Sequence, residues 1–262
     1  MQSVLIIRSS AANAFADMRA IYSWRLWVFG WLGRMLAQVT FFTFLGRAVG
    51  DDERTAYLVV GNAVMTCVLE CVQVVASTGW ERISGTLILL AAAPARPVWV
   101  FFGRSLQWPV SGSATSLVAL FALGPAFGIT WRPHHILPVA ALVVLTAFTT
   151  YCLGLFLAAL VLNANGLRNI VSSAAYFVMM AVCGVQVPVD HWPLPVRTAA
   201  ALLPLTHSLA AIRLVEADAG AFPIAAAAGK ALLCGAVWLA AAYLVFESFM
   251  DRGRRTGNSD YF

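Results

Sequence analysis

The sequence predicts an all-α integral membrane fold: six transmembrane helices, an N-terminal interfacial helix, a cytoplasmic amphipathic segment between spans two and three, and a proline-rich external stretch before span six. Three observations carry this. The 262 residues are 61% hydrophobic and only 11% charged, with a mean hydropathy of +0.80; a water-soluble chain of this size needs more polar surface than that. Apolar runs of the length that crosses the hydrocarbon, about 20 residues, recur along the chain. The charged residues gather between these runs. A single membrane domain over residues 1–262 follows.

The elements come in order. Over residues 12–24, Ala14, Phe15, Met18, Ile21 and Tyr22 fill one arc of a helical wheel while Asn13, Asp17, Arg19 and Ser23 fill the other, the pattern of a helix lying in the membrane plane. Trp24 and Trp27 suit the headgroup level. The spans fall at about 27–49, 56–77, 98–121, 136–162, 170–187 and 224–249, with Pro109 expected to kink the third. Asp51-Asp52-Glu53-Arg54 separates the first two, and Trp131-Arg132-Pro133-His134-His135 precedes the fourth. A semi-polar segment at about 79–97 interrupts spans two and three. A proline-rich stretch, 188–222, is too long for a turn.

Arginines set the orientation. The side holding both ends carries Arg8, Arg19, Arg25, Arg82, Arg96, Arg168, Arg252, Arg254 and Arg255; the other side carries fewer cations and most of the acids, among them Asp51, Asp52, Glu53, Asp190, Glu216 and Asp218. Cationic loops stay on the cytoplasmic side, so both termini are expected there, in a multi-pass protein of a bacterial plasma membrane. The net charge of +5 is this same bias rather than a nucleic-acid footprint. The five cysteines, Cys67, Cys71, Cys152, Cys183 and Cys234, sit in apolar runs without a CxxC spacing and read as small hydrophobes. His134 and His135 are adjacent, but no third ligand lies at metal-site spacing, so no metal is expected.

Two stretches resemble the ABC-2 family of ATP-binding-cassette permeases, the group of daunorubicin-type drug exporters and polysaccharide exporters. The first is Glu81-Arg82-x-x-Gly85-Thr86-Leu87-x-x-Leu90-x-x-x-Pro94, similar to the family's coupling helix. The second is Pro193-x-Pro195, then Leu203-Pro204-Leu205-Thr206-His207 and Ile212-Arg213, similar to its external signature. The resemblance implies that 188–222 is a partly re-entrant external hairpin before span six. The local chemistry agrees with a docking role for the first. Glu81 suits a helix start, Gly85 allows close backbone approach, and Leu87 and Leu90 can seat in a partner's groove. Glu81, Arg82, Gly85, Thr86, Leu87, Leu90 and Pro94 are therefore the expected ATPase-coupling residues.

The chain has no phosphate-cradling loop: Gly229-Lys230 is followed by Ala231, and position 224 is Ile. No cofactor is expected on this chain. ATP and Mg belong to a separate P-loop ATPase, which the resemblance implies in two copies beside a second permease subunit, identical or not. The chain itself is then a transporter subunit and not an enzyme.

Within the spans, Arg34 and Glu70 each lie about seven residues from the cytoplasmic end, roughly 10 Å deep. Two arrangements fit. They pair, because an unpaired intramembrane charge is costly, or Glu70 faces a cavity and attracts a cationic substrate. Tyr176, Phe177, Met179 and Met180 in span five are further candidates for a substrate path, since the resemblance places spans two and five at the dimer interface. The leading expectation is export of an amphipathic or hydrophobic, drug-like compound, the alternative a lipid-linked polysaccharide or lipid. A remote alternative is an intramembrane serine protease using Ser113, with His207 reaching it by re-entry.

Overall fold

In the computed structural model, residues 2–21, 23–83, 97–162 and 166–256 are described, and among them there are helices and turns and no strand. Helix α1, Gln2–Ile21, is followed by α2, which begins as a π-helical stretch, Leu26–Leu32, and continues as Gly33–Val49. Then come α3, Asp52–Val72, and α4, Val74–Ile83. After the undescribed segment 84–96 follow α5, Pro97–Arg104, and α6, Gln107–Val118, which runs on through a π turn and a 3₁₀ turn to Phe127. Helices α7, Pro133–Val161, and α8, Arg168–Val182, lead to the short pair α9, Leu194–Ala201, and α10, Pro204–Glu216, and α11, Ala221–Thr256, ends the bundle.

Among the described residues, five stretches are long and apolar enough to cross a membrane: Leu26–Ala48, Asp52–Thr78, Val98–Phe127, Pro133–Val161 and Ala221–Phe249. The pair α9 and α10 qualifies as a sixth only when taken together, and it is bent by 88°. The expected fifth span, 170–187, is the short helix α8. At 1.5 Å per residue it rises about 22 Å, less than the roughly 30 Å of a hydrocarbon core. The chain leaves α8 at Cys183 because Gly184 takes a left-handed backbone, φ 83, which glycine adopts without penalty. Prolines then set the hairpin: Pro195 and Pro204 stand in the first turns of α9 and α10, where the missing N–H costs nothing.

Helix α1 is longer than the interfacial helix expected at 12–24. The run Val4-Leu5-Ile6-Ile7 extends it, and it packs on α5, where Gly103 meets the Ile7 carbonyl and the Ser10 side chain. The third span breaks at Ser105-Leu106, four residues before Pro109. The proline ring clashes with the carbonyl four residues upstream, so the helix yields there.

Helix α3 is the central post, 89% buried over its apolar window, and it touches α2, α6, α7 and α8. Small residues allow these approaches. A Cβ on Gly154 of α7 would lie 2.6 Å from Val74 Cγ1 and 3.0 Å from the Cys71 carbonyl oxygen. Close backbone contact through small residues is the common way helices associate in lipid, where apolar burial alone gives no drive. By contrast, α2 and α11 are only 17% buried. Leu232, Leu233, Val237 and Leu244 of α11 face outward, as lipid-facing residues do.

The two ends of the bundle are distinct. At one end α1, α5 and the end of α11 meet: Asp17 pairs with Arg104 at 3.7 Å, and the Phe101 and Phe246 rings stack at 5.1 Å. At the other, the Arg213 guanidinium of α10 lies over the Tyr57 ring of α3, 3.4 Å from its centroid. The Tyr57 hydroxyl donates to the Gly184 carbonyl at 2.7 Å, and Gln186 donates to Asn62 at 3.1 Å. These bonds tie the hairpin to the central helix.

Candidate functional site: a groove between the second, third and eighth helices

A cavity of about 450 Å³ lies between α2, α3 and α8. Helical spacing builds its walls. Arg34, Gln38 and Phe42 recur every four residues on α2. Leu69, Val72 and Gln73 form the facing wall, and Ser172, Ser173, Tyr176, Phe177 and Met180 come from α8. Residues three and four apart share a helix face, so each helix contributes one stripe. The result is an apolar groove with a few polar handles, the usual composition of a small-molecule site.

Across it, the Gln38 side chain donates to the Tyr176 hydroxyl at 2.6 Å. The Arg34 guanidinium lies over the Trp31 ring, 5.0 Å from its centroid, which keeps the cation at the groove wall instead of in bulk lipid. Ser173 and Phe177 are exposed on the open side of α8.

The predicted residues divide. Tyr176, Phe177 and Met180 line the groove, whereas Met179 turns into the core and is 1% exposed. Glu70 is not in the groove. It is fully buried on another side of α3, where Thr115 of α6 donates to it at 2.5 Å. Both expectations for Glu70 therefore need correction: it neither faces the cavity nor makes an ion pair with Arg34. Arg34 has turned to Trp31, and a hydroxyl rather than a guanidinium meets the carboxyl. Helix rotation decides this: Thr115 stands at the Glu70 carboxyl, while Arg34 stays within electrostatic reach of it but beyond ion-pair distance.

Gln38, Gln73, Ser172 and Ser173 escaped the sequence reading. The signal was present as the four-residue spacing of Arg34 and Gln38, two polar residues on one face of an apolar helix.

Of the coupling residues, Glu81 and Arg82 stand in the last turn of α4. Gly85, Thr86, Leu87, Leu90 and Pro94 lie outside the described residues. Ser113 donates to the Pro109 carbonyl at 2.7 Å, and the His207 ring nitrogen meets the Ala201 carbonyl at 2.8 Å. Each is engaged with its own local backbone, and no hydrogen bond joins them as a protease pair requires. The adjacent histidines at the start of α7 do acquire a third neighbour: Asp218 arrives from the turn between α10 and α11. Hydrogen bonds from His135, then from His134, hold the Asp218 carboxyl below its ordinary range.

The bundle, with its apolar helices long enough to cross a membrane, defines a multi-pass helical membrane protein. The profile of the ABC-2 type transporters matches residues 15–217, and the chain belongs to that family: it is the membrane-spanning permease part of an ABC transporter. In this family the permease has no ATPase site of its own and works with an ATPase subunit. No curated protein and no solved structure matches the chain.

Proposed function

We propose that this chain is the permease subunit of an exporter that moves an amphipathic or hydrophobic small compound out of the cytoplasm of a bacterium. The groove between α2, α3 and α8 is its half of the path. A second permease subunit closes the groove along the exposed stripe of α8, where Ile170, Ser173, Phe177 and Val178 face outward. Two copies of a P-loop ATPase hold ATP and Mg and push on the segment 79–97. The arginine bias supports placing that segment, with both termini, on the cytoplasmic side of the plasma membrane.

The observation that carries the substrate class is the groove's lining: Phe42, Leu69, Val72, Phe177 and Met180 beside Gln38, Gln73 and Tyr176, with Arg34 as its single charged side chain. Apolar walls with a few fixed polar groups suit a compound with a greasy body and hydrogen-bonding substituents. A cation in the wall repels cationic compounds and favours neutral or anionic ones. Inside-out vesicles holding the permease with its ATPase are the test, with neutral, anionic and cationic amphipathic fluorophores added to the outer medium. ATP-dependent uptake of neutral or anionic fluorophores, cut several-fold in Tyr176→Ala, is expected. ATP hydrolysis without movement of any of them would overturn the reading.

A further inference from the structure

We propose that His134, His135 and Asp218 form a binding site for a divalent transition cation of the zinc class, at the end of the bundle that carries the hairpin. The ligand set is right in kind: two imidazoles and a carboxylate are hard-to-borderline donors that suit zinc. It is also right in geometry. The Nε2 atoms of His134 and His135 lie 3.3 and 2.7 Å from the same Asp218 Oδ1, and the three ligand atoms lie within 4.8 Å of one another. Bonds of about 2.0–2.2 Å to a tetrahedral zinc place its ligand atoms roughly 3.4 Å apart. A small outward shift of the carboxylate therefore admits the ion.

The convergence is not what helix geometry supplies by default. Consecutive helical residues point about 100° apart, yet the two rings meet with centroids 4.3 Å apart. His135 is buried, held edge-on to Trp131, whose indole N–H is fixed by the Leu120 carbonyl at 3.0 Å. Asp218 takes a left-handed backbone, φ 52, the sole non-glycine residue to do so among those described. Such backbone settings cluster where function holds them.

The surroundings are those of a metal ligand set. Arg132 bonds the second carboxylate oxygen, Oδ2, orienting Asp218 and leaving Oδ1 to the imidazoles; ligating carboxylates are commonly held this way from outside. An adjoining cavity of about 300 Å³ is lined by His135, Asp218 and Glu216. It leaves room for water or the Glu216 carboxylate as a fourth ligand. A bound ion would join the start of α7 to the α10–α11 turn, clamping the hairpin to the bundle. This inference stands apart from the transport reading, since it needs neither a substrate nor an ATPase.

The test is Co²⁺ titration of the full-length, detergent-purified chain carrying no polyhistidine tag, after treatment with a chelator. Stoichiometric binding is expected, with the visible absorption of tetrahedral Co²⁺, lost on adding Zn²⁺. His134→Ala and Asp218→Asn are expected to weaken it by more than about tenfold, while His191→Ala and His207→Ala leave it unchanged. His134 is two-thirds exposed, so its variant should keep the wild-type gel-filtration profile. Absence of a tetrahedral Co²⁺ signal, or a signal that survives in the His134→Ala, Asp218→Asn double variant, would overturn the site and leave only a histidine–aspartate–arginine ion-pair cluster.

Discussion

Gln38 of α2 donates to the hydroxyl of Tyr176 on α8 across 2.6 Å and 138 residues of sequence, and this bond spans the mouth of the groove. It fixes the Tyr176 ring against the wall and sets the distance between two helices whose remaining contacts are sparse. In lipid, such interhelical bonds average about 0.6 kcal/mol. Tyr176→Phe should therefore cost about that much, a shift of a few degrees or less in the thermal unfolding midpoint in detergent. The larger effect should be on transport, because a loosened ring changes the groove. The expected signature is a raised KM for the exported fluorophore with the basal ATPase rate unchanged.

Thr115 donates to the Glu70 carboxyl at 2.5 Å, with Ser111 and Trp31 close by. Removing the hydroxyl leaves a buried acid without this donor, and an unsatisfied buried polar group costs about 1–3 kcal/mol. Thr115→Val should lower the unfolding midpoint accordingly. Glu70→Gln keeps an oxygen to accept the Thr115 bond, so it should assemble normally and retain uptake of neutral fluorophores. Loss of transport in a well-assembled Glu70→Gln protein would return Glu70 to the substrate path.

Glycine at position 154 is needed for fit. A Cβ there meets Val74 and the Cys71 carbonyl at 2.6 and 3.0 Å, and forcing volume into a close-packed contact costs about 1–3 kcal/mol. Gly154→Ala should lower the midpoint. Gly229→Ala, where a Cβ meets nothing within 4 Å, should leave the midpoint unchanged or raise it slightly, since alanine is the better helix former. Equal effects of the two would contradict the packing described for α3 and α7.

Much of the architecture was legible in the chain, and the reason differs by element. Apolar runs announced the long helices because lipid demands continuous apolar surface. The proline-rich stretch 188–222 announced a break before the last long helix, and Pro195 and Pro204 stand in the first turns of the two short helices there. The groove was half legible: Tyr176, Phe177 and Met180 stood out as large apolar residues, while Met179, one residue away, faces the core. What could not be read was rotation and long-range partnership. Whether Glu70 turns toward Arg34 or Thr115 depends on the angle of α3 about its axis. The meeting of His134 and His135 with Asp218, more than 80 residues on, depends on the 88° bend of the hairpin.

On the function proposed above, a separate ATPase drives these helices through the segment that begins at the end of α4. The direct measurement is the ATP hydrolysis rate of the partner ATPase reconstituted with the wild-type permease, with Glu81→Lys and with Gly85→Pro. Stimulation by the wild-type chain is predicted, lost in both variants while co-purification shows the complex still assembled. Stimulation that persists undiminished in both would contradict it.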